Sequence, residues 1–283
     1  MNSQILRIAW KKKLSASQIR EFQEFITANR ETRWRDFAWR QTEDPYHVVV
    51  SEIMLQQTQT SRVVDKFAQF IKTFPTFEVL ARASQREVLF LWSGLGYNRR
   101  GIALQKIAQK VVAEFGGVLP QDPQVLETFP GIGPYTAGAI CAFAFNRPTV
   151  FIETNIRAVY IQTFFADAQE KVSDKELLPL IQQTLDQDQP RLWYYALMDY
   201  GVVVKRECAN PSRKSKNHSV QSKFEGSERQ IRGGIIRALT EYPVLTYREL
   251  VEILGRDPIR VERNLQKLCE EKMVHCRDEE YWI

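Results

Sequence analysis

Apolar positions recur at helical rather than strand spacing along most of the chain. Segment 15–30 opens on serines and sets Ile19, Phe22, Phe25 and Ile26 on one face, the i, i+3, i+4, i+7 pattern of an amphipathic helix. Segment 61–74 repeats the pattern with Val64, Phe67, Phe70 and Ile71. Segment 84–96 ends in glycines, and 100–117 is stopped by Gly116 and Gly117, as helix C-termini are. Segment 122–145 predicts two helices around Phe-Pro-Gly-Ile-Gly, and 175–187 and 191–204 predict two more. The run 148–152 (Pro-Thr-Val-Phe-Ile) is strand-like. No internal repeat or low-complexity tract interrupts the series.

Segment 209–227 is poor in large apolar residues and reads as a loop or linker. Beyond it, 227–242 predicts a helix with Ile231, Ile235, Ala238 and Leu239 inward. Segment 246–255 carries Thr246 and Glu249 at capping-box spacing and stops at Gly255. Segment 257–272 opens Asp-Pro, an N-cap followed by an N1 proline, and 273–283 has hairpin character. Three helices and a hairpin predict a winged helix-turn-helix. Its third helix would turn Arg260, Arg263, Asn264 and Lys267 toward a DNA groove, an arrangement that serves protein contacts equally well.

Length then argues for more than one domain, because 283 residues exceed the usual single-domain size. An apolar fraction of 44% and a charged fraction of 26% are those of a globular protein. The first residues lack the long apolar stretch of a signal peptide, and no apolar run approaches the roughly 18 residues of a membrane span. A soluble, cytoplasmic, nucleoid-associated protein without a membrane partner is the expectation, and nothing demands more than a monomer. The net charge of +5 is concentrated locally: Lys205, Arg206, Arg213, Lys214, Lys216 and Lys223 face a single Glu207. Such a cluster suits phosphates, or serves as a solubilising linker. The cysteines Cys141, Cys208, Cys269 and Cys276 lack metal-knuckle spacing, so no metal is expected and reduced structural thiols are.

Two local features carry chemistry. Glu52 follows Val48-Val49-Val50-Ser51 and precedes Ile53-Met54-Leu55, so it is either a desolvated working acid or an incidental polar residue at the edge of a core helix. Gly131 and Gly133 bracket a turn that feeds a helix, where free backbone N–H groups hold phosphate.

The blocks WRDFAWRQTEDPYHVVVSEIMLQQTQT, LWSGLGYNRRGIAL, FPGIGPYTAGAICAFAF, ETNIRAV and MDYG follow one another over roughly residues 33 to 204. In order and spacing they resemble the helix-hairpin-helix (HhH-GPD) DNA glycosylases, most closely the MutY-type adenine DNA glycosylases. The resemblance implies a mainly α, two-lobed, all-helical glycosylase domain over 1–224, with a winged-helix-like domain at 225–283. A six-helix barrel lobe would cover about 57–165, and the second lobe 1–56 and 166–224, including the basic loop 205–224.

The resemblance also assigns roles. Glu52 would be the general acid that protonates the leaving base, its pKa raised by its apolar surround. A second carboxylate must stay ionised near the oxocarbenium-like sugar, and Glu153 stands in its place. The family pattern there is Asp-Gly-Asn, whereas this chain reads Glu153-Thr154-Asn155. An added methylene shifts the carboxylate by about an ångström, which in a tuned site costs on the order of 100-fold, and an N-cap is the alternative role for Glu153. Asn155 would contact phosphate or support the site.

Tyr135 stands where bifunctional relatives carry a Schiff-base lysine, so hydrolysis without strand cleavage is implied. Tyr97 would be the aromatic wedge beside the flipped nucleotide, and Gln56 and Gln57 would probe the opposite strand or fill the emptied stack. Arg100 meets phosphate or simply begins a helix. Lys205, Arg206, Arg213 and Lys214 would meet the backbone by charge alone. Family members bind an iron–sulfur cluster through four cysteines after the MDYG position; the matching stretch here holds only Cys208, so no cluster is expected.

The implied substrate is double-stranded DNA with adenine opposite 8-oxoguanine or guanine. Thymine or uracil mismatched with guanine, another modified base, and lesion binding without catalysis are the alternatives. The family's C-terminal 8-oxoguanine-recognition domain has the 225–283 module in its place.

Overall fold

The structure, a computed structural model, describes every residue except 1–4, 10–12, 29 and 221. Positions 29 and 221, which fall inside the predicted 15–30 helix and 209–227 linker, therefore lie outside the described residues. The helices are α1 (Ala16–Ala28), α2 (Arg30–Arg33), α3 (Pro45–Leu55), α4 (Thr60–Thr73), α5 (Phe77–Arg82) and α6 (Gln85–Trp92). They continue as α7 (Arg99–Phe115), α8 (Pro123–Leu126), α9 (Pro134–Phe145), α10 (Thr154–Phe164), α11 (Asp174–Thr184) and α12 (Pro190–Glu207). Then come α13 (Glu228–Glu241), β1 (Leu245–Thr246), α14 (Tyr247–Leu254), α15 (Pro258–Glu270), β2 (His275–Arg277) and β3 (Glu280–Trp282). Among the described residues no helix is long and apolar enough to cross a membrane.

The chain forms two compact units. One comprises 1–45, 121–127 and 132–220; the other comprises 46–120, 128–131 and 221–283. This division differs from the boundaries drawn on the sequence, because the C-terminal segment groups with the helices of 46–120 instead of standing by itself.

In the first unit, Phe22 packs against Tyr160, Phe164 and Trp193 with ring centroids 5.3–5.8 Å apart. The expected strand at 148–152 is absent: residues 146–153 are irregular. Side chains take the place of a partner strand. The Thr149 hydroxyl donates to the Gly138 carbonyl at 2.7 Å, and the Tyr194 hydroxyl donates to the Thr149 carbonyl at 2.7 Å. Phe151 is buried against Phe143 and Tyr194.

In the second unit, α4 buries Val63, Phe67 and Phe70, and Val64 points outward at 42% exposure. The inward stripe runs i, i+4, i+7 from Val63, so the expectation for Val64 was one residue out of register. Side-chain caps start α5 at Thr76 and α6 at Ser84, the latter a full capping box with Glu87. The three strands form a sheet in the order β1-β3-β2, pairing Leu245 with Tyr281 and Cys276 with Tyr281. Asp278 and Glu279 both take positive φ between β2 and β3, as a two-residue type I′ hairpin requires.

Ile231, Ile235, Ala238 and Leu239 face inward as expected, and their core continues into Leu89 of α6. Arg86 donates to the Thr240 carbonyl at 3.1 Å, and Gln85 to the carbonyls of Lys272 and Met273.

Candidate active site and nucleic-acid interface

Helix α3 is buried on nearly every side: Val48, Val49, Val50, Ile53 and Met54 are all enclosed, and Glu52 is 7% exposed among them. Its carboxyl group is therefore largely removed from water. Past α3, Gln57 is exposed with φ +53°, and the Gln56 amide donates to the Gly131 carbonyl at 3.1 Å. Gly131 has φ +78°, and an added Cβ would stand 3.2 Å from the Ala103 methyl, so two constraints favour glycine there.

Arg100 corrects a sequence expectation. Its guanidinium does not project as a phosphate contact. Nη1 donates to the carbonyls of Ile53 (2.9 Å), Met54 (3.0 Å) and Gln56 (2.6 Å). Nη2 donates to the Thr58 hydroxyl (3.0 Å) and to the carbonyls of Leu95 (3.2 Å) and Gly96 (3.0 Å). The last carbonyls of a helix have no intrahelical partner, and here one arginine satisfies them while binding the end of α3 to the turn before α7. Burial pushes the Arg100 guanidinium down to about 10. Its neighbour Arg99 is also engaged, by Glu271 at the end of α15.

That turn carries Tyr97, whose backbone is left-handed at φ +49° and whose side chain is 39% exposed. An exposed aromatic on a left-handed turn is unusual for a non-glycine residue. The Arg100 guanidinium lies 5.5 Å from the centre of its ring.

In the other unit, Glu153 is the N-cap of α10. Its Oε1 accepts from the N–H groups of Asn155 (2.7 Å) and Ile156 (2.9 Å), and its Oε2 accepts from the Asn155 amide (3.3 Å). Lys205 is half-buried and bonded to the start of α10. Its ammonium donates to the Thr154 hydroxyl at 3.0 Å and to the side-chain amide oxygen of Asn155, Oδ1, at 2.9 Å. Burial lowers its pKa, and the negative charge of Glu153 opposes that shift. Tyr135, at the start of α9, packs edge-on against Phe151 at 5.7 Å, and Gly133 is the α9 N-cap.

The MDYG block has a structural role that its spacing does not reveal. Asp199 is buried and accepts from the Arg35 backbone N–H (3.1 Å), Arg40 Nη1 (2.8 Å) and Arg40 Nη2 (2.9 Å). Gly201 lies directly against the backbone of Asn155. Two motifs quoted above, around 35–40 and 198–201, are thus one buried ion pair. The signal available was only the rare sight of an acid amid apolar helix residues.

The basic loop is held by its own chain. Lys216 N–H donates to the Val172 carbonyl and Val172 N–H to the Lys214 carbonyl, each at 2.9 Å. Lys214 is exposed, and its ammonium donates to the Ala166 carbonyl at 2.6 Å. Arg213 and Lys216 are exposed, and Arg206 is exposed beside Glu207 at 3.0 Å. Cys208 is half-buried and its thiol is pushed up by burial. Among the described residues no group of three or more His, Cys, Asp or Glu side chains is placed to hold a metal ion.

On α15 the expected outward row is split. Arg263 and Lys267 are exposed. Asn264 is 2% exposed and donates to Glu228 and to the Arg260 carbonyl. Arg260 donates to Glu228 at 2.8 Å and to the Gly226 carbonyl at 2.8 Å. Asn264 lies four residues past Arg260 on the face that meets α13, so helical geometry places it inside.

Residues 50–183 match the family described as HhH-GPD superfamily base excision DNA repair protein. The chain is 36% identical over 220 residues to the adenine DNA glycosylase of Rattus norvegicus, covering 74% of this chain and 42% of that protein. It is 30% identical over 259 residues to the adenine DNA glycosylase of Mycolicibacterium smegmatis, covering 85% of this chain and 88% of that protein. A solved thermostable thymine-DNA glycosylase superposes with a TM-score of 0.61 at 26% identity, over 65% of this chain and 86% of that one. The chain spans less than half the length of the rat relative. With these likenesses and a buried Glu52 inside the matched region, the chain belongs to the HhH-GPD superfamily of base excision DNA repair proteins.

Proposed function

We propose that the protein is a monofunctional DNA glycosylase that removes adenine mispaired with 8-oxoguanine or guanine. The observation that carries this reading is Glu52, a carboxyl group buried on α3, a helix whose aliphatic residues are themselves buried. In the proposed reaction Glu52 donates its proton to a ring nitrogen of the flipped purine. The N-glycosidic bond breaks, its electrons leave with the base, and water adds to the sugar carbon, its released proton restoring the Glu52 acid. Glu153 supplies negative charge to the oxocarbenium-like sugar. The adenine DNA glycosylases among the relatives support adenine as the target.

Tyr135 offers a phenol and no amine, which supports hydrolysis without a Schiff base. The single cysteine of the basic loop supports a protein without an iron–sulfur cluster. We further propose that it works as a monomer in the cytoplasm, near the nucleoid, with the C-terminal α13–β3 module as a winged-helix-like element.

The test is base release under single-turnover conditions, with alkali cleavage of abasic products. Adenine is placed opposite 8-oxoguanine, guanine or cytosine, and thymine and uracil opposite guanine. Release of adenine that disappears in Glu52→Gln supports the proposal. Release confined to thymine or uracil moves the target to the substrate named for the solved thymine-DNA glycosylase. Tight mismatch binding by folded protein with no release replaces it with lesion recognition.

A further inference from the structure

We propose that Arg229, at the start of α13, is a positioning residue for Tyr97, so that the C-terminal module belongs to the lesion-probing element. The inference rests on the glycosylase reading above and extends it to a part of the chain that reading leaves without a task.

Tyr97 carries a partly exposed ring on a left-handed turn. Arg229 Nη1 donates to the Tyr97 hydroxyl at 2.9 Å, and its guanidinium stands 5.8 Å from the ring centre. With Arg100 on the same ring at 5.5 Å, two cations fix the orientation of one aromatic group. Arg229 is itself held, because Nη2 donates to the Ser222 carbonyl at 2.6 Å and to the Ser222 hydroxyl at 3.3 Å. Side-chain capping by Ser227 starts α13 just before Arg229.

The module is braced against the helices that flank Tyr97. Leu89 of α6 shares a core with Ile231, Ile235 and Leu239, and Ile102 of α7 packs on it. Glu271 of the module accepts from both Arg99 and Arg232. An independent DNA reader would hang on a linker crossed by few contacts. Here a continuous core and several charged bonds join the module to the turn that bears Tyr97. A ring that must enter the base stack works only in one orientation, and ordering it beforehand removes an entropic cost from flipping.

The experiment uses the full chain and two readouts. One is 2-aminopurine fluorescence in a duplex carrying the fluorophore beside the mismatched adenine, which reports flipping without requiring catalysis. The other is single-turnover base release. Variants are Arg229→Ala, Arg229→Lys, Tyr97→Phe and the Arg229→Ala/Tyr97→Phe pair, each checked for an unchanged unfolding midpoint. Tyr97→Phe removes the same bond from the opposite side without touching the module.

The expected result is a roughly tenfold loss of flipping amplitude or rate in Arg229→Ala and a similar loss in Tyr97→Phe. The pair should be no worse than either single variant, the signature of two residues acting through one contact. Losses that multiply in the pair overturn the proposal. So does an Arg229→Ala protein that flips normally and binds matched and mismatched duplexes equally more weakly, as loss of a separate DNA contact would produce. If the wild-type chain flips but releases no base, the glycosylase reading falls, and the fluorescence series still decides the role of Arg229.

Discussion

Gly201 of α12 meets the backbone of Asn155 so closely that an added Cβ would stand 2.6 Å from the Asn155 carbonyl oxygen. The obstacle is backbone, which cannot swing aside as a long side chain would. Through this contact α12 sets the first turn of α10, where Glu153 caps and Asn155 receives Lys205. Gly201→Ala should cost about 1–3 kcal/mol through overpacking. Urea unfolding of the variant checks this, and base release should fall further than the stability loss explains.

Asp199 is the acid of a pair with Arg35 and Arg40, and the Asp199 and Arg40 side chains are only 1% and 3% exposed. Asp199→Ala leaves Arg40 buried without its counter-charge, at a cost of roughly 3–5 kcal/mol. Chemical denaturation should show this as a lower midpoint, with Asp199→Asn falling less because it keeps an acceptor.

Lys205 and Arg213 should separate in their salt dependence. Arg213 is exposed on the basic loop, whereas Lys205 is bonded to Thr154 and Asn155. Arg213→Ala should reduce the slope of log affinity against log salt by about one. Lys205→Met should leave that slope unchanged and lower base release by roughly tenfold. Duplex titrations across a salt series provide the comparison.

Asp174 ties the basic loop to α10, accepting from Arg157 at 2.8 Å twice and from the Asn217 amide. Burial works against its ionisation, but the bonds from Arg157 and Asn217 outweigh it and hold its pKa below the ordinary 3.8. Because the folded state binds this proton less readily, its contribution is present above about 3.8 and disappears as the pH falls through the lower folded value. Wild type should therefore be more stable than Asp174→Asn at neutral pH, and the difference should close below about pH 3.8. Unfolding midpoints of both proteins across an acid series measure it.

What the sequence determined by itself is local. Apolar spacing, the Thr246–Glu249 capping box, the Asp257-Pro258 start and the glycine stops mark helices whose causes lie within a few residues. The block around Glu52 was legible too, because an acid inside an apolar run violates an otherwise regular pattern. Tertiary structure decided which polar groups are spent inside. Arg100 and Lys205 read as free cations until distant oxygens claim them, and Asn264 reads as outward until α13 covers it. The irregular path of 148–152 also needed its partners, since β-prone residues form a strand only beside another strand. Most of all, the Arg229–Tyr97 bond joins positions 132 residues apart. A hydrogen bond needs only nearness and direction, and for groups that far apart along the chain both come from packing.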